Sequence, residues 1–211
     1  MKQLDPTQQR VLGVLIEKEL TVPDSYPLTE NSLVLGCNQK SNRDPLTSLS
    51  DFEVSGTLMG LQLDGWVGRS ERDGGRTVRY KHLVESKLGI DAQKKSLLCE
   101  LLVRGPQTTR ELKVRIERMA VLVDEAAVEA MLRSLTSKDG IMLVELLPKA
   151  PRERDPRWAH RLGPRGAADH AAPVEHETRS SVVRSPLEER LAALEARVAA
   201  LEARDTSAPS S

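Results

Sequence analysis

Residues Ser50 to Gly65 read SDFEVSGTLMGLQLDG. Ser50 followed three residues later by Glu53 is a capping box, in which hydroxyl and carboxylate satisfy each other's otherwise unpaired backbone N–H groups. Val54, Leu58 and Leu61 then recur at helical spacing, and the inner stripe extends to Leu63. Asp64-Gly65 stops the helix, because glycine enters the left-handed region without strain. A strand is expected from Trp66 to Arg69 and its partner from Thr77 to Leu83, with Asp73-Gly74-Gly75 at the hairpin tip. A capped helix that runs directly into a hairpin decides the fold, because the same order returns downstream.

Asp124 opens a helix in which Val128, Leu132 and Leu135 copy the spacing of Val54, Leu58 and Leu61, and Asp139-Gly140 repeats the stop. Strands follow at 141–147 and 158–162, separated by the charged run KAPRERDPR. Two further helices precede each of these. In the first set, Asp5-Pro6-Thr7-Gln8 starts a helix with Val11, Leu12, Leu15 and Ile16 inward, and Pro23 and Pro27 end it. Thr29 caps the next, with Leu33, Val34 and Cys37 inward. In the second set, Asp91 opens a helix carrying Leu97, Leu98, Leu101 and Leu102, which ends at Gly105-Pro106. Thr108-Thr109-Arg110-Glu111 caps another carrying Leu112 and Ile116. A unit of about seventy-five residues is therefore duplicated. The expected fold class is mainly α with small β-hairpins (α+β). Each unit is three helices closed by a hairpin, the winged-helix arrangement. The boundaries are 1–88 and 89–163 for the two winged-helix domains, 164–185 for a linker, 186–204 for a short coiled coil and 205–211 for a tail.

Composition sets limits on function. Lys and Arg number 31, as do Asp and Glu, so the formal charge is zero, whereas a chain that is mostly a DNA-binding surface carries positive excess. Phe52, Trp66, Trp158, Tyr26 and Tyr80 are the only aromatics, too few for a base-stacking platform or an aromatic-lined cofactor pocket. Cys37 and Cys99 stand far apart with no metal-ligand spacing, a pattern of reducing compartments, and each is expected to be a small buried apolar residue. The opening MKQLDPTQQR lacks the apolar core of a signal peptide, and no apolar run is long enough to span a bilayer. A cytoplasmic protein without cofactor, metal or membrane attachment is expected. No P-loop, dinucleotide fingerprint, Gly-x-Ser-x-Gly or His-Glu-x-x-His occurs, and His82, His160, His170 and His176 are scattered, so no enzyme is expected.

The run CNQKSNRD lies between the second and third helices, where a winged helix meets DNA. Lys40 and Arg43 are candidate phosphate ligands, and Asn38, Gln39, Ser41 and Asn42 candidate contacts to backbone or bases. The competing reading is a turn whose Asn and Ser side chains bond their own backbone. The wings add Arg69, Arg72, Arg76, Arg79 and Lys81 in the first copy, and Arg152, Arg154 and Arg157 beside Lys149 and Arg161 in the second. Glu71, Asp73, Glu153 and Asp155 dilute both clusters. Arg110, Lys113, Arg115 and Arg118 make one further helix basic. Against ordinary groove reading stand Asp51 and Glu53 in one third helix and Asp124, Glu125 and Glu129 in the other, because carboxylates there would meet phosphates. The outward positions of the first of these helices, Ser55, Gly56, Thr57, Met59 and Gln62, are small or neutral.

Near the C-terminus, Leu187, Leu191, Leu194, Val198 and Leu201 alternate spacings of four and three, the heptad a and d positions. Glu188, Glu195 and Glu202 fall at e, and Arg190, Arg197 and Arg204 at g. A parallel pair joins g to e with opposite charges, and an antiparallel one sets like against like, so a parallel homo-oligomer is expected.

The segments VLGVLIEKE, TVPDSYPLTENSLVLGCNQKSNRDP and LLVRGPQTTREL resemble the YceH-like family of bacterial proteins over residues 4–162. The resemblance implies two tandem winged-helix domains and implies no function. The leading expectation is a DNA-associated, regulator-like dimer that contacts double-stranded DNA phosphates through the helix 2–helix 3 loop and the wings. The alternative is a protein–protein interaction module resembling winged-helix chromosome-segregation accessory proteins, which bind a protein partner.

Overall fold

Helices begin here where a side chain caps them. The structure, a computed structural model, describes residues 2–70, 77–120, 124–137 and 140–164. Helix α1 (Pro6–Thr21) starts at Asp5, whose Oδ1 accepts from Gln8 N at 2.9 Å while Gln8 Oε1 accepts from Asp5 N at 3.0 Å. Thr29 caps α2 (Glu30–Cys37), and Ser50 caps α3 (Asp51–Leu63) with Glu53 closing the box. Strands β1 (Val67–Ser70) and β2 (Arg79–His82) pair antiparallel. A short helix α4 (Val84–Leu88), which the sequence pattern does not announce, leads into the second set. There Asp91, Thr108 and Asp124 cap α5 (Ala92–Arg104), α6 (Thr109–Ile116) and α7 (Glu125–Leu135). Strands β3 (Val144–Leu146) and β4 (Trp158–His160) close it as a second antiparallel hairpin. The chain is thus α+β, with helix, helix, helix, hairpin occurring twice.

Strand β1 has the expected length shifted by one residue, the other three are shorter than the sequence suggests, and each hairpin gains a bridge from outside. Leu28, just before α2, exchanges two backbone hydrogen bonds with Tyr80 on β2. Gln107, just before α6, does the same with Trp158 on β4. This second correspondence between the copies has no side-chain signature, since backbone groups make it.

The inner faces fall as expected with one exception. Val54, Leu58 and Leu61 are buried, as are Val128, Leu132 and Leu135. Leu63, expected in the stripe, is 84% exposed. At about 100° per residue it lies nearly opposite the line through Val54, Leu58 and Leu61. His82 and His160 are buried on their strands. Both cysteines are buried; burial pushes the Cys37 thiol up to about 12 and the Cys99 thiol well above its ordinary value.

The two sets share one hydrophobic core through α1 and α5. Gly13 on α1 faces Val103 and Leu102 near the end of α5, while Glu19 near the end of α1 meets Lys95 near the start of α5, so the helices run antiparallel. The approach is close: a Cβ on Gly13 would lie 2.6 Å from Val103 Cγ1, and Cys99 Sγ donates to Gly13 O at 3.3 Å. At one end of this seam the Glu19 carboxylate accepts from Lys95 Nζ and from His82 Nε2 at 2.8 Å, and Lys95 also binds Glu85 at 2.8 Å. Val84 N donates to His82 Nδ1 at 3.4 Å, which leaves the ring proton on Nε2, facing Glu19.

Burial pushes the Glu19 carboxyl up, but the hydrogen bonds from His82 and Lys95 outweigh it and hold the group at about 2, below its ordinary 4.5. A carboxyl depressed in the folded state contributes stability above its unfolded pKa and loses it as pH falls through the folded one. Denaturant melts of wild type and Glu19→Gln should therefore differ most at neutral pH, and the gap should narrow as pH falls from about 4.5 toward about 2. A gap that stays constant over that window would rule out the ionised cluster as its source.

Candidate nucleic-acid interface

The CNQKSNRD run is fastened at both ends before its tip reaches solvent. Asn38, at the C-terminal end of α2, bonds the backbone of Leu49 twice: Nδ2 donates to Leu49 O and Leu49 N donates to Oδ1, each at 2.7 Å. The amide thus clips the end of α2 to the approach of α3. Thr47 Oγ1 donates to Cys37 O at 2.9 Å and reinforces the clip. Asn42 takes a positive φ of 59°, which asparagine tolerates, and its Oδ1 accepts from Arg104 Nη2 of α5. Asp44 N donates to Val103 O at 3.0 Å, and Arg10 Nη2 to Pro45 O at 2.6 Å.

Arg43 points inward. Its side chain is fully buried, with Nη2 at 2.5 Å from Glu17 Oε2 and Nη1 at 3.3 Å from Oε1. Nε donates to Gly36 O at 3.0 Å and Nη1 to Asn42 O at 2.7 Å. A guanidinium engaged this way holds no phosphate. The candidate pairing of Lys40 and Arg43 on DNA therefore fails on geometry, and Asn38 and Asn42 are likewise committed to the fold. Gln39 is half-buried, accepting from Lys18 Nζ at 3.1 Å and donating to Ser41. Lys40 and Ser41 stand exposed at the tip, and Lys40 forms no side-chain bond among the described residues.

Glu17 belongs to a wider network. Arg118, just past α6, donates from Nη2 to Glu17 Oε1 at 2.7 Å and to Glu100 Oε1 on α5 at 3.0 Å. Arg104 Nε lies 3.0 Å from Glu100 Oε2 but off the hydrogen-bond direction, so that contact is coulombic. Burial pushes the Glu17 carboxyl up, yet Arg43 and Arg118 outweigh it and leave it below the ordinary carboxylate value. Arg118 and Arg115, which the sequence places on a basic face, serve carboxylate and amide partners within the fold, Arg115 bonding Gln107.

The wings divide the same way. Arg69 and Lys81 are exposed and unpaired among the described residues, whereas Arg79 is half-buried and donates to Pro27 O at 2.8 Å. In the second wing Lys149, Arg152 and Arg154 are exposed and unpaired among the described residues, and Arg110 at the start of α6 is too. Arg157 is held by Glu111 at 2.8 Å and Glu153 at 2.6 Å, and Arg161 by Glu145 at 3.2 Å. Arg72, Arg76 and the heptad residues Leu187, Leu191, Leu194, Val198 and Leu201 lie outside the described residues.

The surface of α3 carries what sequence reasoning does not anticipate. Met59 is outward and uncharged as expected, at 63% exposed, but Phe52 stands out beside it at 87%, so the face is apolar as well as neutral. Their spacing with Leu63, seven and then four, is the signal the sequence offers. Among the described residues no group of three or more His, Cys, Asp or Glu could hold a metal ion, and no helix is long and apolar enough to cross a membrane.

A family model described as a protein of unknown function, DUF480, matches residues 4–153. A UPF0502 protein of Paracidovorax citrulli is 47% identical over 176 residues, covering 82% of this chain and 75% of that protein. UPF0502 proteins of Geobacter sulfurreducens and of an Acidovorax species are 43% and 44% identical, covering 90% and 92% of this chain and 86% and 90% of their own lengths.

Removing one member of a buried, hydrogen-bonded ion pair costs about 3–5 kcal/mol, whereas an exposed side chain away from such features is worth within about 0.5 kcal/mol. Arg43→Ala should therefore lose about 3–5 kcal/mol in a denaturant titration, and Lys40→Ala should stay within about 0.5 kcal/mol of wild type. Equal effects at the two positions would contradict this division of the loop into anchor and tip.

Proposed function

This chain belongs to the DUF480 (UPF0502) family of bacterial proteins, and we propose that it is a tandem winged-helix protein that associates with duplex DNA in a regulator-like role. Residues 1–88 and 89–163 are the two winged-helix domains. Lys40, Arg69 and Lys81 of the first, and Lys149, Arg152 and Arg154 of the second, contact phosphates. One observation carries the reading: the cations without partners among the described residues gather on the helix 2–helix 3 loop, the hairpins and the start of α6, while Arg43, Lys95, Arg104, Arg118, Arg133 and Arg157 are neutralised by carboxylates. The mode is backbone contact from loop and wing. Helix α3 does not enter the major groove, because Asp51 and Glu53 occupy its first turn and Phe52 stands out from it. The heptads of residues 186–204 pair two chains in parallel, which doubles the phosphate contacts and raises their effective concentration.

A second reading, a protein-docking module without DNA binding, is favoured by the apolar outer face of α3 and the zero formal charge.

Fluorescence anisotropy of a labelled mixed-sequence duplex separates the two readings. Each neutralised phosphate contributes about 0.9 to the slope of log affinity against log salt. Binding should fall steeply between about 50 and 200 mM salt. The triple variant Lys40→Ala/Arg69→Ala/Lys81→Ala should weaken it on every sequence and flatten the slope by about one for each cation removed. Absence of binding at micromolar protein in low salt would end the DNA reading in favour of the docking module.

A further inference from the structure

Phe52, Gly56, Met59 and Leu63 line one edge of α3 at spacings of four, three and four. They fall within about 60° of a single line, opposite the buried Val54, Leu58 and Leu61. The three side chains are exposed, and a Cβ built on Gly56 would meet nothing within 4 Å. The fold itself does not require this stripe. In α7 the positions equivalent by inner-stripe register are Ala126, Ala130, Arg133 and Ser137, and Arg133 is paired with Glu129. The second copy has the same inner stripe, but its outer one holds only small or polar side chains. A helix about 20 Å long with a large aliphatic or aromatic side chain at each end of its outer face is built to be covered.

The ends of α3 differ in charge. Asp51 and Glu53 are exposed at its start. At its close Lys2 binds Asp64 at 2.8 Å with most of its side chain in solvent, and Lys87, also exposed, donates to Asp64 O at 2.7 Å. An antiparallel neighbour of identical sequence sets acidic start against basic end twice and opposes the helix dipoles favourably. It also matches shape. Centred between Gly56 and Met59, the twofold places Phe52 over the partner's Leu63 and Met59 into the notch over the partner's Gly56. A self-complementary patch of this kind is what a twofold interface requires.

We infer that α3 forms the interface of a twofold dimer with a second copy of this chain, its helices antiparallel. The interface is separate from the loop and wing cations, so it stands or falls independently of DNA binding. It differs from the C-terminal heptads in pairing a helix of the folded region.

The test is disulfide trapping in the full-length chain. In the inferred register Phe52 and the partner's Leu63 are neighbours, whereas two copies of Phe52, or of Leu63, lie about 17 Å apart, far beyond disulfide reach. Cys37 and Cys99 are buried and do not compete. Under mild copper–phenanthroline oxidation, Phe52→Cys/Leu63→Cys should run mostly as a covalent dimer on a non-reducing gel, and each single variant should stay monomeric. Adding Gly56→Arg, whose Cβ would meet nothing within 4 Å in the protomer, should cut the trapped dimer at least tenfold. No dimer from the double variant, the same yield from the single variants, or a yield untouched by Gly56→Arg would each overturn the inference.

Discussion

The carboxylate of Glu17 is the point on which this architecture turns. It sits on α1 with 1% of its side chain exposed, where an uncompensated charge would be untenable. Two guanidiniums resolve it: Arg43 from the α2–α3 loop engages both oxygens, and Arg118 from beyond α6 donates to Oε1 as well. Arg118 then reaches Glu100 on α5. One buried network thus ties the loop of the first helical set to the helices of the second across the α1–α5 seam. Close seating of Gly13 on Val103 and Leu102 favours one axial offset of α1 on α5, and Arg118, donating from one Nη2 to both Glu17 on α1 and Glu100 on α5, is satisfied at the same one. The network's worth lies in that choice of register more than in net stability, since desolvating so many charges consumes most of what their attraction returns.

That constraint explains why a loop that looks like a ligand-binding loop in sequence is mostly scaffolding. Asn38, Asn42 and Arg43 belong to residue types that contact nucleic acid, because those types satisfy backbone groups and anions of any kind. Here the anion is Glu17 and the backbone groups are Gly36, Asn42 and Leu49. Sequence could not reveal this, because Glu17 lies 26 residues away and nothing in α1 marks it as inward-facing except the apolar company of Val14, Leu15 and Ile16. With the flanks locked, Lys40 and Ser41 are carried on a rigid base, which lowers the entropy lost when the tip engages something.

The elements are legible where short-range chemistry determines them. Asp5, Thr29, Ser50, Asp91, Thr108 and Asp124 each cap the helix that their sequence context predicts, because a cap is settled within four residues. The inner stripes of α3 and α7 are legible for the same reason. Strand ends are not, since Leu28 and Gln107 complete the hairpins from outside through main-chain bonds. The burial of Arg43 and Lys95 and the inward pairing of Arg118 are hidden because each depends on a partner in a distant element. Leu63 falls on the outer face although its angular position is readable, because an apolar residue near a stripe is easily counted into it.

Duplication sharpens what differs between the halves. The two copies share capping chemistry, inner stripes and bridges to the hairpin, so these are what the fold demands of any three-helix-and-hairpin unit. Where the copies diverge, that demand is silent. Met59 stands in register with Arg133, Phe52 with Ala126 and Leu63 with Ser137. Solvation of an outer helix face favours small and polar side chains over large apolar ones, and α7 has them. Retaining exposed Phe52, Met59 and Leu63 on α3 carries a solubility cost that folding does not repay, which places their benefit in an encounter with another surface. The acids at the head of the same helix oppose a phosphate backbone as that surface. Whatever the loop and wing cations engage, the surface inferred to cover α3 is a second copy of the same helix.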